Sequence, residues 1–294
     1  MASHLLQKCV GARPDEVFED FFPDGIAALR LSLETRRIWV ATANGRLCLL
    51  TPTGERLREA FACQGLRLLA VAHGSDLAAG VRNDASLMAI GPDLKPEWES
   101  RVTGRITSLA ISPAGGHIAF ATDSSRIHLM TAERREIARI ETRRPVEHLQ
   151  FLMETPQLLA ATEVGQITRY DLAGRVLHDE QLMSQVGDMA ISESGRRIFL
   201  AAFNHGVQVC DLDGGQLGIF AVDGIPAKVA CSVTRERVAV WTMEQRLFRM
   251  TFDGNVLWAG DFAADPLVSF AMQATGDGLL LASQSGCLLH CRWD

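Results

Sequence analysis

The sequence lacks any uncharged apolar run of about 18 residues, the length a membrane-spanning helix requires; the apolar stretch around 225–233 is broken by Lys228. Near the N-terminus only Leu5-Leu6 stands where a secretory signal needs an apolar run of about 7–15 residues. A disulfide framework is also missing. The seven cysteines (Cys9, Cys48, Cys63, Cys210, Cys231, Cys287, Cys291) are odd in number and scattered, a pattern of free thiols suited to a reducing compartment. Lysine is scarce, 3 against 26 arginines, which we read as codon bias and not as recognition chemistry. A formal charge of −6 gives the chain as a whole no attraction to DNA or an anionic membrane. What is present, 47% apolar residues over 294 positions, excludes a disordered chain or a collagen and suffices for a sizeable core. The expectation is a cytoplasmic protein without membrane insertion.

Self-similarity organises the rest. Segments of the form apolar-x-apolar followed most often by serine occur at 29–32, 69–72, 109–112, 149–152, 189–192, 229–232 and 270–273, spaced by 40 residues five times and by 41 once. Each is followed by a second apolar run ending in a small or hydroxyl residue, then a turn signal such as Asn44-Gly45, Asn83-Asp84, Ser124-Ser125, His205-Gly206 or Ser285-Gly286. A third short strand, a further turn and a fourth, more polar run complete the unit. Runs this short, cut this often by glycine, do not fit helical hairpins, which need apolar residues at i, i+3, i+4 and i+7 over a dozen positions. Four-stranded antiparallel units repeated radially are propeller blades, and a polar outermost strand suits a sheet edge that must resist pairing with other chains.

The expected fold is therefore all-β: a seven-bladed β-propeller forming one domain over 1–294, with blades starting near 26, 65, 105, 145, 186, 225 and 267. The seventh unit has room for three strands. A run at 15–25, containing EVFEDFF and the turn signal Pro23-Asp24-Gly25, precedes the first blade and is expected to supply the missing fourth strand and close the ring, leaving 1–14 as an arm.

At superfold level the chain resembles the WD-repeat and quinoprotein-like β-propellers over essentially its whole length. Tyr170-Asp171, Cys210-Asp211 and Trp293-Asp294 are similar to the dipeptide that ends the third strand of WD repeats, and Asp253-Gly254-Asn255-Val256-Leu257-Trp258 resembles a quinoprotein turn. No blade carries at its start the Gly-His dipeptide that opens WD repeats. Propellers host many unrelated activities, so the resemblance implies a fold and no function.

Candidate chemistry divides into weak and useful signals. Cys287, His290 and Cys291 fall on one strand, where alternation sets His290 apart from the cysteines and four residues at about 3.3 Å each hold the thiols about 13 Å apart, too far to share a metal. No metal or cofactor is assigned. Ser32, Ser112, Ser192 and Ser232 recur at one register, which marks a turn feature, since one active site needs one serine. Asp171, Asp211 and Asp213 suit caps on local turn amides. His73, His117, His178 and His205 are expected at turns, with His205 the one placed to act at a rim.

Residues 101–144 carry eight arginines against four carboxylates, a local +4 that leaves −10 for the remainder. Antiparallel connectivity places Arg82, Arg105, Arg143 and Arg144 on one rim of blades two to four, with Asp84 and Asp123 partly offsetting them. Such a rim suits an acidic protein segment or a phosphate, through paired guanidinium hydrogen bonds. It does not suit nucleic acid, because interleaved aromatics for stacking are missing. The expected function is a non-enzymatic interaction or scaffold module, alone or within a larger assembly. The alternative is an enzyme or small-ligand binder, lactonase-like or quinoprotein-like, at a central channel. No set of carboxylates recurs at first-strand positions to furnish such a site.

Overall fold

The computed structural model describes residues 4–6, 8–61, 63–83, 85–192 and 195–294. Strands follow one another in sheets of four, covering 26–61, 66–101, 106–141, 148–181, 186–220 and 226–261 in blades 1 to 6. Blade 7 takes three strands from 267–292 and its fourth, Asp15–Phe21, from the N-terminal segment. The chain is all-β, of the seven-bladed β-propeller class.

Burial follows position in the blade. Second strands are the most buried: Ile38–Thr42 and Ile198–Ala202 are buried at every residue, because both their faces meet packed side chains. Fourth strands alternate, as Pro96–Arg101 does, with their charged residues turned outward along the open edge. Register shifts recur at one place in the first strand of five blades, between Leu66 and Leu68, Ile106 and Ser108, Val186 and Asp188, Pro226 and Lys228, and Leu267 and Ser269. A bulge at that point adds local twist to each blade. The repeated serine is used at the turn before the second strand: the Oγ of Ser112, Ser192 and Ser232 accepts the amide N–H of His117, Arg197 and Arg237 at 2.9, 3.1 and 3.0 Å. His117 and His178 lie in strands and not in turns, because the register of their blades extends through them.

The chain divides into two compact units, one of Met1–Leu29 with Ser184–Asp294 and one of Arg30–Met183, the boundary falling inside the first strand of blade 1. In the second unit, one apolar cluster joins blades 2 and 3 through Val81, Leu87, Ile118 and Phe120, and another joins blades 3 and 4 through Ile127, Leu129, Phe151 and Leu158. His73 stitches the connections: its Nδ1 accepts the Leu33 N–H at 3.3 Å, and its own N–H donates to the Pro113 carbonyl at 2.9 Å. Burial lowers the His73 pKa to about 4, since a charged imidazolium taken out of water loses its hydration.

In the first unit, Leu5 and Leu6 enter a core with Trp258, Phe262, Leu281 and Trp293. Asp15–Phe21 pairs antiparallel with Cys287–Arg292, from Asp15 opposite Arg292 to Phe21 opposite Cys287. The ladder ends where Phe22 N–H donates to the Gly286 carbonyl at 2.8 Å. Periodicity assigns no strand to 1–14, yet Cys9–Gly11 pairs with the fourth strand of blade 6, Val256–Asp261, and makes that sheet five-stranded. Three residues are too short a run for alternation to register. Gly11 is required there: its φ is 98° and a Cβ would lie 2.5 Å from the Leu257 carbonyl oxygen.

Removing residues 1–24 should strip blade 7 of its fourth strand and abolish cooperative thermal unfolding or lower Tm by more than about 10 °C. Gly286→Ala, which forces a Cβ to within 2.1 Å of the Phe22 carbonyl oxygen at φ 96°, should cost about 2–4 kcal/mol by denaturant titration. His73 binds its proton more tightly unfolded than folded. Its contribution, on the order of 3 kcal/mol, is therefore present above the ordinary histidine range and lost as pH falls towards 4. His73→Gln should flatten that part of the stability profile.

Candidate functional site

Arg82, Arg105, Arg143 and Arg144 all belong to the second unit. Arg82 ends the second strand of blade 2, Arg105 immediately precedes the first strand of blade 3, and Arg143 and Arg144 lie in the connection from blade 3 to blade 4. Backbone hydrogen bonds tie each second-to-third-strand turn to a neighbouring connection: Asn83 N–H to Gly65 O at 2.9 Å, Asp123 N–H to Arg105 O at 2.9 Å, and Thr142 N–H to Ser125 O at 2.9 Å. The four arginines thus occupy the same end of consecutive blades. Asp123 accepts the Arg105 amide at 3.2 Å, so its carboxylate serves the turn. Asp84 lies outside the described residues. His205 is exposed in the second-to-third-strand turn of blade 5, in the first unit.

The arginines differ in what they touch. Arg82 pairs with Glu99 across blade 2 at 3.3 Å. Arg105, Arg143 and Arg144 are exposed, and among the described residues their guanidinium groups have no carboxylate partner. Arg67, whose guanidinium donates to the Ile106 carbonyl, titrates below the usual arginine range, chiefly through burial and then through the nearby Arg105 charge. The positive field at this end of blade 3 is therefore felt by its neighbours.

Arg143 stands at the mouth of a crevice of about 160 Å³ between the blade 3–4 connection and blade 4. Its floor is polar. Asp179 accepts the Thr168 hydroxyl at 2.7 Å and the Gln166 amide at 3.1 Å, and Tyr170 lies buried beside them. Burial pushes the Tyr170 phenol above its ordinary value, against a lowering by its hydrogen bond with Thr168 and with a smaller raising by the Asp179 charge. The space suits a few waters, with the carboxylates of Glu141 and Asp179 among its lining and the Arg143 guanidinium beside them.

A second concavity, an open groove of about 900 Å³, follows the outer strand of blade 1, with Arg58, Glu59 and Phe61 on one side and Pro92, Asp93 and Lys95 on the other. Phe61 is 67% exposed and stacks under Arg46 at 4.8 Å. Arg58 is held by Asp76 at 3.1 Å and by the Pro92 carbonyl at 2.9 Å. Arg56–Phe61 ends its sheet, so one edge of its backbone faces the groove. Shape of this kind leaves no motif; the sequence signal is an exposed phenylalanine at the end of a fourth strand.

The residues that resemble repeat signatures have structural duties. Asp171 accepts the Arg175 amide at 2.9 Å, and Asp211 accepts the amides of Asp213 and Gly215 at 2.9 and 2.7 Å. Trp293 donates to the Ala12 carbonyl at 2.7 Å and meets Trp258 edge-on at 5.2 Å. Cys291 is buried and directed to the Leu279 carbonyl at 3.5 Å, its thiol pushed up to about 12 by that burial, and His290 packs against Phe18 at 5.5 Å. Cys287 turns elsewhere, to Glu19 and His4, a grouping that no pattern within one strand reveals because Glu19 and Cys287 are 268 residues apart. Among the described residues, no helix is long and apolar enough to cross a membrane.

A scan of protein-family models and a search of curated proteins both return no match to this chain.

Tyr170 is the only tyrosine in the chain, so an ultraviolet phenolate titration reads it directly. Its midpoint should lie above 10 and move down towards 10 in Asp179→Asn, where the neighbouring negative charge is gone. A folded-state pKa raised in this way confers stability that is lost as pH rises through it, so unfolding should accompany the phenolate signal.

Proposed function

We propose that the chain is an interaction module and not a catalyst, and that it presents the loops at one end of blades 2–4 to an acidic protein segment. The observation that carries this reading is the contrast among the four arginines: Arg82 is already paired with Glu99, whereas Arg105, Arg143 and Arg144 hold exposed guanidinium groups without carboxylate partners among the described residues. One of them, Arg143, lines the polar crevice beside blade 4. Guanidinium forks spaced along rigid loops select carboxylates by geometry as well as charge, and a rim anchored by backbone hydrogen bonds loses little entropy on binding. The groove beside Phe61 favours a second mode on the same unit, in which an extended segment lies along the free edge of Arg56–Phe61. Cys9–Gly11 on blade 6 shows that a fourth strand in this chain accepts a fifth.

The test is fluorescence anisotropy with a labelled decapeptide rich in Asp and Glu, at about 50 and 300 mM salt. Binding should weaken at the higher salt. It should fall about 3- to 150-fold in the Arg105→Ala/Arg143→Ala/Arg144→Ala variant, since exposed pairs contribute about 0.2–1 kcal/mol each, and change little in Arg82→Ala. Equal affinity for the triple variant and the unaltered protein would rule out this face.

A further inference from the structure

The first unit contains a cluster that the interaction reading does not use. His4, Glu19 and Cys287 come from a 3-10 turn, from the closing strand and from the third strand of blade 7, and their ligand atoms all lie within 4.8 Å of one another. Each is fixed by the fold. Leu5 and Leu6 are buried in the core of blades 6 and 7 and so pin the turn that carries His4. Glu19 pairs with Leu289, which puts its side chain on the same face of the sheet as Cys287, two residues earlier. The buried Cys287 thiol donates to Glu19 Oε1 at 3.1 Å, and His4 Nδ1 lies 3.8 Å from the same oxygen.

The surroundings orient the imidazole as metal sites do. Its other nitrogen, Nε2, meets Asp265 Oδ2 at 3.1 Å. Asp265 is itself held by the Ser285 amide at 3.1 Å and the Ser285 hydroxyl at 2.7 Å. A carboxylate on the outer nitrogen fixes the tautomer that leaves Nδ1 free to coordinate and raises its basicity. In a tetrahedral zinc centre, with bonds of about 2.0–2.3 Å, adjacent ligand atoms sit about 3.3–3.7 Å apart. The spacings at Glu19 are close to that range, so side-chain torsions suffice to complete it.

We infer that His4 Nδ1, the Glu19 carboxylate and the Cys287 sulfur form a binding site for a borderline-soft divalent cation of the zinc class, with Asp265 orienting His4. One sulfur, one nitrogen and one oxygen select such an ion over magnesium or calcium, which prefer oxygen alone. On binding, the Cys287 S–H bond gives way to a metal–sulfur bond and its proton passes to solvent. Three protein ligands leave a fourth position for water. The ion would join three segments, the N-terminal turn, the closing strand and blade 7, and so reinforce the point at which the seventh sheet is completed.

Titration calorimetry of the full chain with zinc sulfate, and absorption spectra with cobalt(II) chloride, test this. The expected result is one ion per chain, a thiolate-to-cobalt charge-transfer band, and a Tm raised by zinc. Cys287→Ser should abolish the band. His4→Ala, which alters an exposed side chain and leaves the sheet intact, should weaken binding at least tenfold, and Asp265→Asn about 10–100-fold. Cys9→Ser should retain the band. Absence of stoichiometric binding, a band that survives in Cys287→Ser, or an affinity indifferent to His4→Ala would overturn the assignment. Peptide binding at the arginine rim lies in the other unit and is read separately.

Discussion

The backbone ladder between Asp15–Phe21 and Cys287–Arg292 is the interaction on which the first unit depends. A β-sheet edge exposes a row of N–H and C=O groups that bond to something or leave the sheet open to any passing strand. Residues 267–292 provide three strands, and the fourth arrives from the other end of the sequence. That junction is reinforced on both sides: Phe22 is buried at its end, Cys9–Gly11 extends the neighbouring blade 6, and Leu5 and Leu6 fill the core between those two blades. Two glycines permit the approach, Gly11 against Leu257 and Gly286 against Phe22. Because this pairing is non-local, its backbone entropy is recovered only when the whole unit is assembled.

Much of this architecture is legible in the sequence because it is written in short-range periodicity. The 40-residue repeat, the largely apolar second strands and the more polar fourth strands each follow from the environment that one position of a blade meets. The closing strand is legible too, since an unassigned run and the Pro23-Asp24-Gly25 turn precede blade 1 while the seventh unit has room for only three strands. What is not legible depends on distance or shape. Cys9–Gly11 is too short to alternate. The pairing of Arg82 with Glu99 crosses a sheet, and the meeting of His4, Glu19 and Cys287 joins three segments. The groove beside Phe61 exists only once the outer strand of blade 1 stands next to the turn at Pro92.

The arginine rim shows how a sequence signal is refined by structure. Eight arginines in 44 positions mark a region, but charge counting treats Arg82 and Arg143 alike. Geometry separates them: one guanidinium is paired within its own blade, and another stands at the entrance of a polar crevice. Exposed pairs contribute little to stability, so an unpaired arginine on a rigid loop costs the fold almost nothing and remains available to a partner. A propeller supplies that rigidity, while the chemistry resides in a few loop residues placed upon it.

Native-state hydrogen exchange followed by mass spectrometry tests the central claim about closure most directly. Amides within Asp15–Phe21 should exchange as slowly as those of the buried strand Gly278–Ser283 and open together with them, as members of one cooperative sheet. Rapid exchange across Asp15–Phe21, with Gly278–Ser283 still protected, would show that the N-terminal strand does not complete the seventh blade.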